Sequence, residues 1–221
     1  RPNHYLFDLN RDWAWQTQIE SRQRYSVYKQ WFPHIHVDYH EQGFNAPYYF
    51  APAAAPYHNV ITDWQKQFQT TIGENHVGYF DEAFWLYFTK ERFDLFYPSY
   101  GDTWPTFHGA IGMTYEMPGH SLSGLAVERA VGDTLTLKQR ALQHFTTGIS
   151  TVETASVNSE QMVNEFKNYF NKARNNPDGT YKTFVVKADN HPDNIYDLLS
   201  DLESKQIEFG RAGSSQSGIG Y

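Results

Sequence analysis

Most of the information about the fold and chemistry of this chain lies in the run His34-Ile35-His36-Val37-Asp38-Tyr39-His40-Glu41-Gln42-Gly43. Side chains alternate between the two faces of a β-strand, so positions 34, 36, 38 and 40 share one face as His, His, Asp and His. The other face carries Ile35, Val37 and Tyr39 and is apolar enough to be buried. The run therefore predicts a strand with one packed face and one face of groups that bind metal ions or transfer protons. A solvated edge strand whose histidines have no chemical role fits the run equally well.

Length and composition favour a globular protein that neither binds nucleic acid nor spans a membrane. The chain has 221 residues, 17% of them aromatic, and a formal net charge of −7. It has no run of Lys or Arg, which argues against nucleic acid as a partner. No apolar stretch has the length of a membrane span. The absence of Cys excludes disulfides and thiolate metal sites but leaves the cellular compartment open.

The periodicity of apolar residues predicts an α/β fold, with a mixed sheet flanked by helices on both faces. Around the strand 34–42, it predicts further strands and several amphipathic helices. The predicted strands are Tyr5–Leu9 and Gly109–Glu116, and the predicted helices are Asp12–Trp31, His58–Phe80, Thr134–Ala155 and Ser159–Arg174. The helix Thr134–Ala155 is predicted from its apolar residues Leu135, Leu142, Phe145, Ile149 and Val152.

Three parts are expected along the chain. Residues 1–131 hold the motifs described below, and residues 132–176 form a helical segment that packs on them or follows them. Residues 177–221 are expected to start a small α/β module with a strand at Tyr181–Lys187, a helix at His191–Lys205 and a strand at Gln206–Phe209. A Gly/Ser-rich tail then follows.

Three short motifs occur in a particular order: Asp8-Leu9-Asn10-Arg11, then Asp38-Tyr39-His40, then Thr114-Tyr115-Glu116 at the end of an apolar strand. Their order and approximate spacing resemble the zinc carboxypeptidases of the carboxypeptidase A-like family over residues 5–130. The resemblance implies a carboxypeptidase-like fold whose N-terminal part is missing. It also implies a Zn²⁺ cofactor and a peptide or protein substrate with a free C-terminus.

The resemblance assigns a role to each matching residue. His40 is implied to bind zinc, and imidazole is a common zinc ligand. Glu116 is implied to act as the general base, with Asn10 and Arg11 binding the terminal carboxylate of the substrate, to which the guanidinium fork is well matched. Tyr97 is implied to be the tyrosine that closes over the substrate, and Tyr100 competes for that role.

The sequence departs from the family pattern at the remaining zinc ligands. The family takes two of them from a His-x-x-Glu pair upstream of the Asn-Arg motif, and no His of this chain has a Glu three residues later. We therefore expect a carboxypeptidase in the parent protein, with the missing ligands upstream of residue 1, and an inactive chain when these 221 residues stand alone. Peptidases of this kind are often exported, which favours a secreted or periplasmic parent.

Two other functions fit parts of the pattern. One is a peptide-binding module whose catalytic site has decayed. The other is a different metal hydrolase, with a site built from His36, His40 and either Glu41 or Glu116. The second leaves the Asn10-Arg11 motif unexplained.

Overall fold

A computed structural model describes residues 2–120, 123–181 and 183–213. The chain divides into two compact units, Arg1–Lys172 and Ala173–Tyr221. The helices are α1 Ile19–Trp31, α2 Asp63–Glu82, α3 Thr103–Thr106, α4 Leu137–Val157, α5 Ser159–Asn175 and α6 Pro192–Ser204. The strands are β1 Ile35–Gln42, β2 Tyr48–Tyr49, β3 Ala54–Tyr57, β4 Tyr87–Phe88, β5 Asp94–Leu95, β6 Ile111–Pro118, β7 Ala126–Glu128 and β8 Thr134–Thr136.

The main sheet of the first unit is mixed and has the strand order β1-β6-β2-β4. Strand β1 runs parallel to β6 over eight residues of each, from the pair Ile35–Ile111 to the pair Gln42–Pro118. Strand β2 pairs antiparallel with β6 and parallel with β4. The predicted α/β fold with a mixed sheet is therefore confirmed.

Helices cover both faces of this sheet. On one face, Phe68 and Ile72 of α2 join Ile111, Met113 and Tyr115 of β6 in the main apolar core, and α4 also packs against this face. On the other face, α3 lies directly on β6: a Cβ at Gly112 would be 1.9 Å from the backbone oxygen of Asp102. Only glycine permits this approach, which brings the loop before α3 onto the face that carries the site.

The helix predicted at Thr134–Ala155 is present as α4, but its buried face is polar. Leu142, Phe145, Ile149 and Val152 are exposed, and the buried residues are Arg140, Gln143, Thr147, Ser150, Thr151 and Thr154. The cause lies in the surface that α4 meets, because that surface presents hydroxyl and imidazole groups. Tyr115 Oη lies 2.8 Å from Thr151 Oγ1, Tyr48 Oη lies 3.0 Å from Thr147 Oγ1, and His76 Nδ1 lies 2.7 Å from Ser150 Oγ.

The N-terminal elements also differ from the prediction. The strand predicted at Tyr5–Leu9 is absent from the described residues: Asp8 forms an isolated bridge with Pro2, and a 3₁₀-helix follows at Leu9–Arg11. Helix α1 begins at Ile19 instead of Asp12. The Asp12 carboxylate accepts hydrogen bonds from the backbone N–H groups of Thr17 and Gln18, each at 2.9 Å. These bonds stabilise a turn between Asp12 and Gln18, and the helix begins only after that turn.

The second unit contains α6, as predicted, but its described residues form no strand at Tyr181–Lys187 or at Gln206–Phe209. The unit boundary lies at Lys172, so residues 132–172 belong to the first unit, and no division appears at 131/132. Within the described ranges, no helix is both long enough and apolar enough to cross a membrane.

Candidate functional site

The parallel pairing of β1 and β6 places His40 directly beside Glu116. Paired residues of neighbouring strands point to the same face, and such strands lie about 4.8 Å apart, so the imidazole and the carboxylate share one small volume. The sequence predicted both residues, and the register brings them together.

His40 forms a close pair with Asp38 on the same face. Asp38 Oδ2 lies 2.7 Å from His40 Nε2, and this hydrogen bond raises the pKa of His40. An ionised carboxylate can only accept, so Nε2 carries the hydrogen and Nδ1 remains the free lone-pair nitrogen whenever the ring is neutral. A carboxylate that orients one nitrogen of a histidine while the other binds a metal is a common arrangement in metalloproteins.

The Glu116 side chain is only 8% exposed. Burial raises the pKa of Glu116 to about 7, the negative charges of Asp38 and Asp102 act in the same direction, and His40 opposes them. Its carboxylate has no hydrogen-bond donor among the described residues. The group is therefore a carboxylate that can both take up and release a proton near neutral pH.

Asn10 links the N-terminal loop to this pair. Its Nδ2 lies 3.1 Å from Asp38 Oδ2 and 3.1 Å from His40 Nε2, and its Oδ1 accepts hydrogen bonds from Trp13 Nε1 and the backbone N–H of Gly101. Because His40 Nε2 already carries a hydrogen toward Asp38, the Asn10 amide donates to Asp38. These contacts make Asn10 a residue that positions Asp38 and His40.

Arg11 lies next to this cluster in the chain and remains about half exposed. Its guanidinium stacks 4.4 Å above the centre of the Tyr100 ring and lies 3.6 Å from Asp8. Tyr97 packs edge-on against Tyr100, with ring centres 5.1 Å apart, and its hydroxyl accepts a hydrogen bond from Trp15. Arg11, Tyr97 and Tyr100 therefore form one group beside Asn10, in which Arg11 and Tyr97 are exposed and Tyr100 is half-buried.

The residues present supply one nitrogen that suits zinc, not a complete site. No group of three His, Asp, Glu or Cys side chains that could hold a metal ion occurs in the part of the chain that the structure describes. His36 packs against the rings of Trp13 and Tyr28, and Glu41 lies on the opposite face of β1 from His40. The contacts therefore do not favour a site built from His36, His40 and Glu41.

Asp102 belongs to the site although no sequence motif marked it. It is buried, accepts hydrogen bonds from Thr114 Oγ1 at 2.8 Å and Thr103 Oγ1 at 3.1 Å, and raises the pKa values of both His40 and Glu116. No periodicity marks this residue, because it precedes a helix of only four residues. Its position depends on the close approach of its backbone to Gly112, which is a tertiary contact.

The pKa of Glu116 predicts how stability depends on pH. Between the ordinary value of 4.5 and about 7, the folded state holds a proton that the unfolded state has lost, so the free energy of unfolding falls as pH rises. We expect Glu116→Gln to be more stable than the wild type at pH 8, on the order of 2 kcal/mol, and nearly equal to it at pH 4. Urea unfolding at the two pH values measures this difference. Glu41→Gln, at an exposed position of the same sheet, is the control. If Glu116→Gln and the wild type differ in free energy of unfolding by the same amount at both pH values, the raised pKa of Glu116 is contradicted.

Comparisons of the chain with models of protein families, with curated proteins and with solved structures give no match.

Proposed function

We propose that this chain provides the general base and the carboxylate-binding arginine of a zinc-dependent carboxypeptidase, which removes C-terminal residues from peptides. The pairing of His40 with Glu116, on one face and beside Asn10, is the observation that carries the proposal. In this reading Asp38 and Asn10 hold the imidazole, and Arg11 lies at the edge of the same face.

His40 would bind the zinc ion through Nδ1, because Nε2 is held by Asp38. When bound, zinc polarises a substrate carbonyl and lowers the pKa of water. A catalytic zinc normally has three protein ligands, so the other ligands would have to come from residues outside this sequence.

Glu116 would act as the general base and later as the general acid. A group whose pKa is about 7 accepts a proton from the attacking water without holding it too tightly to release. The same carboxyl group can then deliver that proton to the leaving amine. Its burial, and the lack of a hydrogen-bond donor among the described residues, leave the carboxylate available for both transfers.

Arg11 would bind the terminal carboxylate of the substrate with two parallel charge-assisted hydrogen bonds. The Tyr100 ring supports the guanidinium from one side, and Asp8 competes for it only from a half-exposed position. Tyr97 and Tyr100 would lie against the bound peptide end. The Asn10 amide, whose groups are already engaged, would act through Asp38 and His40.

A peptidase assay on the full gene product tests this function. We expect hydrolysis of a peptide with a free C-terminal carboxylate, no hydrolysis of the same peptide with a C-terminal amide, and loss of activity with a chelator. Equal cleavage of both peptides would contradict the role of Arg11. Binding of the free-acid peptide without hydrolysis would instead favour a peptide-binding module.

Zinc titration of the 221-residue chain is the accompanying control. One imidazole cannot hold zinc tightly, so isothermal titration should show only weak binding. Stoichiometric tight binding would mean that this chain already contains a complete site.

A further inference from the structure

The C-terminal end of α2 and strand β4 form an open cavity of about 380 Å³ between them. Four of its lining residues are aromatic, one is aliphatic and one is acidic: Phe80, Phe84, Trp85, Tyr87, Leu86 and Asp81. A mostly apolar wall with a single charged group is typical of a binding site for a small molecule. Strand β4 lies at the opposite end of the strand order from β1, so the cavity does not involve His40 or Glu116.

Three of the four rings are held in place by the fold. Phe80 is buried, and its ring lies edge-on to those of Trp85 and Tyr87, with centres 5.3 Å and 6.0 Å apart. The Tyr87 ring also stacks on Phe50 of the main core, with centres 5.0 Å apart. These rings therefore form a wall that a ligand would not have to order on binding.

The fourth ring, that of Phe84, is explained neither by packing nor by the backbone. The side chain is 92% exposed, and the backbone has a left-handed φ of 55°. The Phe84 N–H donates to Asp81 O, and the next N–H along the chain donates to Phe80 O, which is a helix-ending motif that usually has glycine at this position. A phenylalanine there costs free energy, and such local strain is concentrated at functional sites. Contact with a ligand of the cavity would give this ring a role.

The charge beside the cavity is negative. Helix α2 has 20 residues, its C-terminal end is the negative end of the helix dipole, and Asp81 and Glu82 lie in its last turn. The structure describes all of α2, and this last turn holds no basic residue. Burial raises the pKa of Tyr87, and the charge of Asp81 adds to this effect, which places the carboxylate near the Tyr87 hydroxyl. A cation bound in the cavity would offset this concentration of negative charge.

We propose that this aromatic cage, formed by Phe80, Phe84, Trp85 and Tyr87 together with Asp81, binds a small organic cation that carries a methylated ammonium group. The faces of aromatic rings attract cations, and such cages recognise quaternary ammonium groups. The methyl groups would bury apolar surface against the rings, while the charge would face Asp81 and the end of α2. A neutral ligand would gain nothing from that carboxylate, and a primary ammonium group is more strongly hydrated.

Titration of the 221-residue chain with choline, followed through its amide signals by NMR, tests the inference. We expect saturable shifts centred on the residues that line the cavity. The neutral analogue of choline, with a tert-butyl group in place of trimethylammonium, should bind about 10-fold more weakly, because it has no charge for the rings to attract. Equal binding of the two, or no saturable shift with choline, would overturn the proposal. Phosphocholine should bind more weakly than choline, and tighter binding would assign the cage to a lipid head group instead.

Variants separate the cage from the stability of the fold. Phe84→Gly should weaken choline binding about 10-fold while its Tm equals or exceeds that of the wild type, because glycine favours the left-handed position. Phe84→Leu keeps an apolar side chain without a ring face and should also weaken binding. Asp81→Asn should weaken binding about fivefold, whereas Glu74→Gln, an exposed position of α2 outside the cavity, should not. Wild-type affinity in both Phe84 variants would overturn the cage, and wild-type affinity in Asp81→Asn would remove the carboxylate from it.

Discussion

Glu116→Gln in the full gene product should lower kcat by about 100- to 10,000-fold while leaving KM within about threefold of the wild type. Glutamine has nearly the same shape but cannot accept a proton from water. Because the carboxylate receives no hydrogen bond from the described residues, the substitution breaks no hydrogen bond among them. Steady-state kinetics with a free-acid peptide provide both constants.

Glu41→Gln is the matched control for this experiment. Glu41 pairs with Met117, next to the pair of His40 and Glu116, but it points to the opposite face of the sheet and is exposed. We expect its kcat to equal that of the wild type. An unchanged kcat in Glu116→Gln would remove Glu116 from the role of base.

Arg11→Met should lower kcat/KM by about 100-fold or more for a free-acid peptide, chiefly through a higher KM. Methionine keeps the unbranched apolar stem that packs on Tyr100 but removes the charge and all five N–H donors. Arg11→Lys keeps the charge without the planar fork, so it should recover only part of the loss. Steady-state kinetics of the three proteins measure the series.

Arg22→Met is the control for the loss of one surface cation, because Arg22 is an exposed arginine of α1. Its kinetics should match those of the wild type. If Arg11→Met and Arg22→Met give the same kcat/KM, Arg11 does not bind the substrate carboxylate.

The sequence predicted the central part of the fold because its pattern there is strong. Strand β1 alternates apolar and polar residues, and β6 is a nearly continuous apolar run, so their type could be read from the chain alone. Neither motif shows that β1 and β6 are neighbours in the sheet. Their parallel register, which pairs His40 with Glu116, is known only from the structure.

Periodicity predicted the helix α4 but did not show which of its faces is buried. The surface beneath this helix is lined by the polar groups of Tyr48, Tyr115 and His76, and these contact the hydroxyl-bearing face of the helix. The position of Asp102, in the loop before α3, depends on the absence of a side chain at Gly112 of β6. Neither effect has a signature in local periodicity.

The alternation of side chains along β6 separates two different surroundings on a single strand. Tyr115 points toward α2 and α4, where its hydroxyl meets His76 and Thr151, while Glu116 points toward His40 on the opposite side. Adjacent residues of one strand thus have unlike surroundings: Tyr115 belongs to the interior, and Glu116 belongs to the site that we propose to be catalytic. The interior and the proposed site therefore share the backbone of β6 but divide its side chains between them.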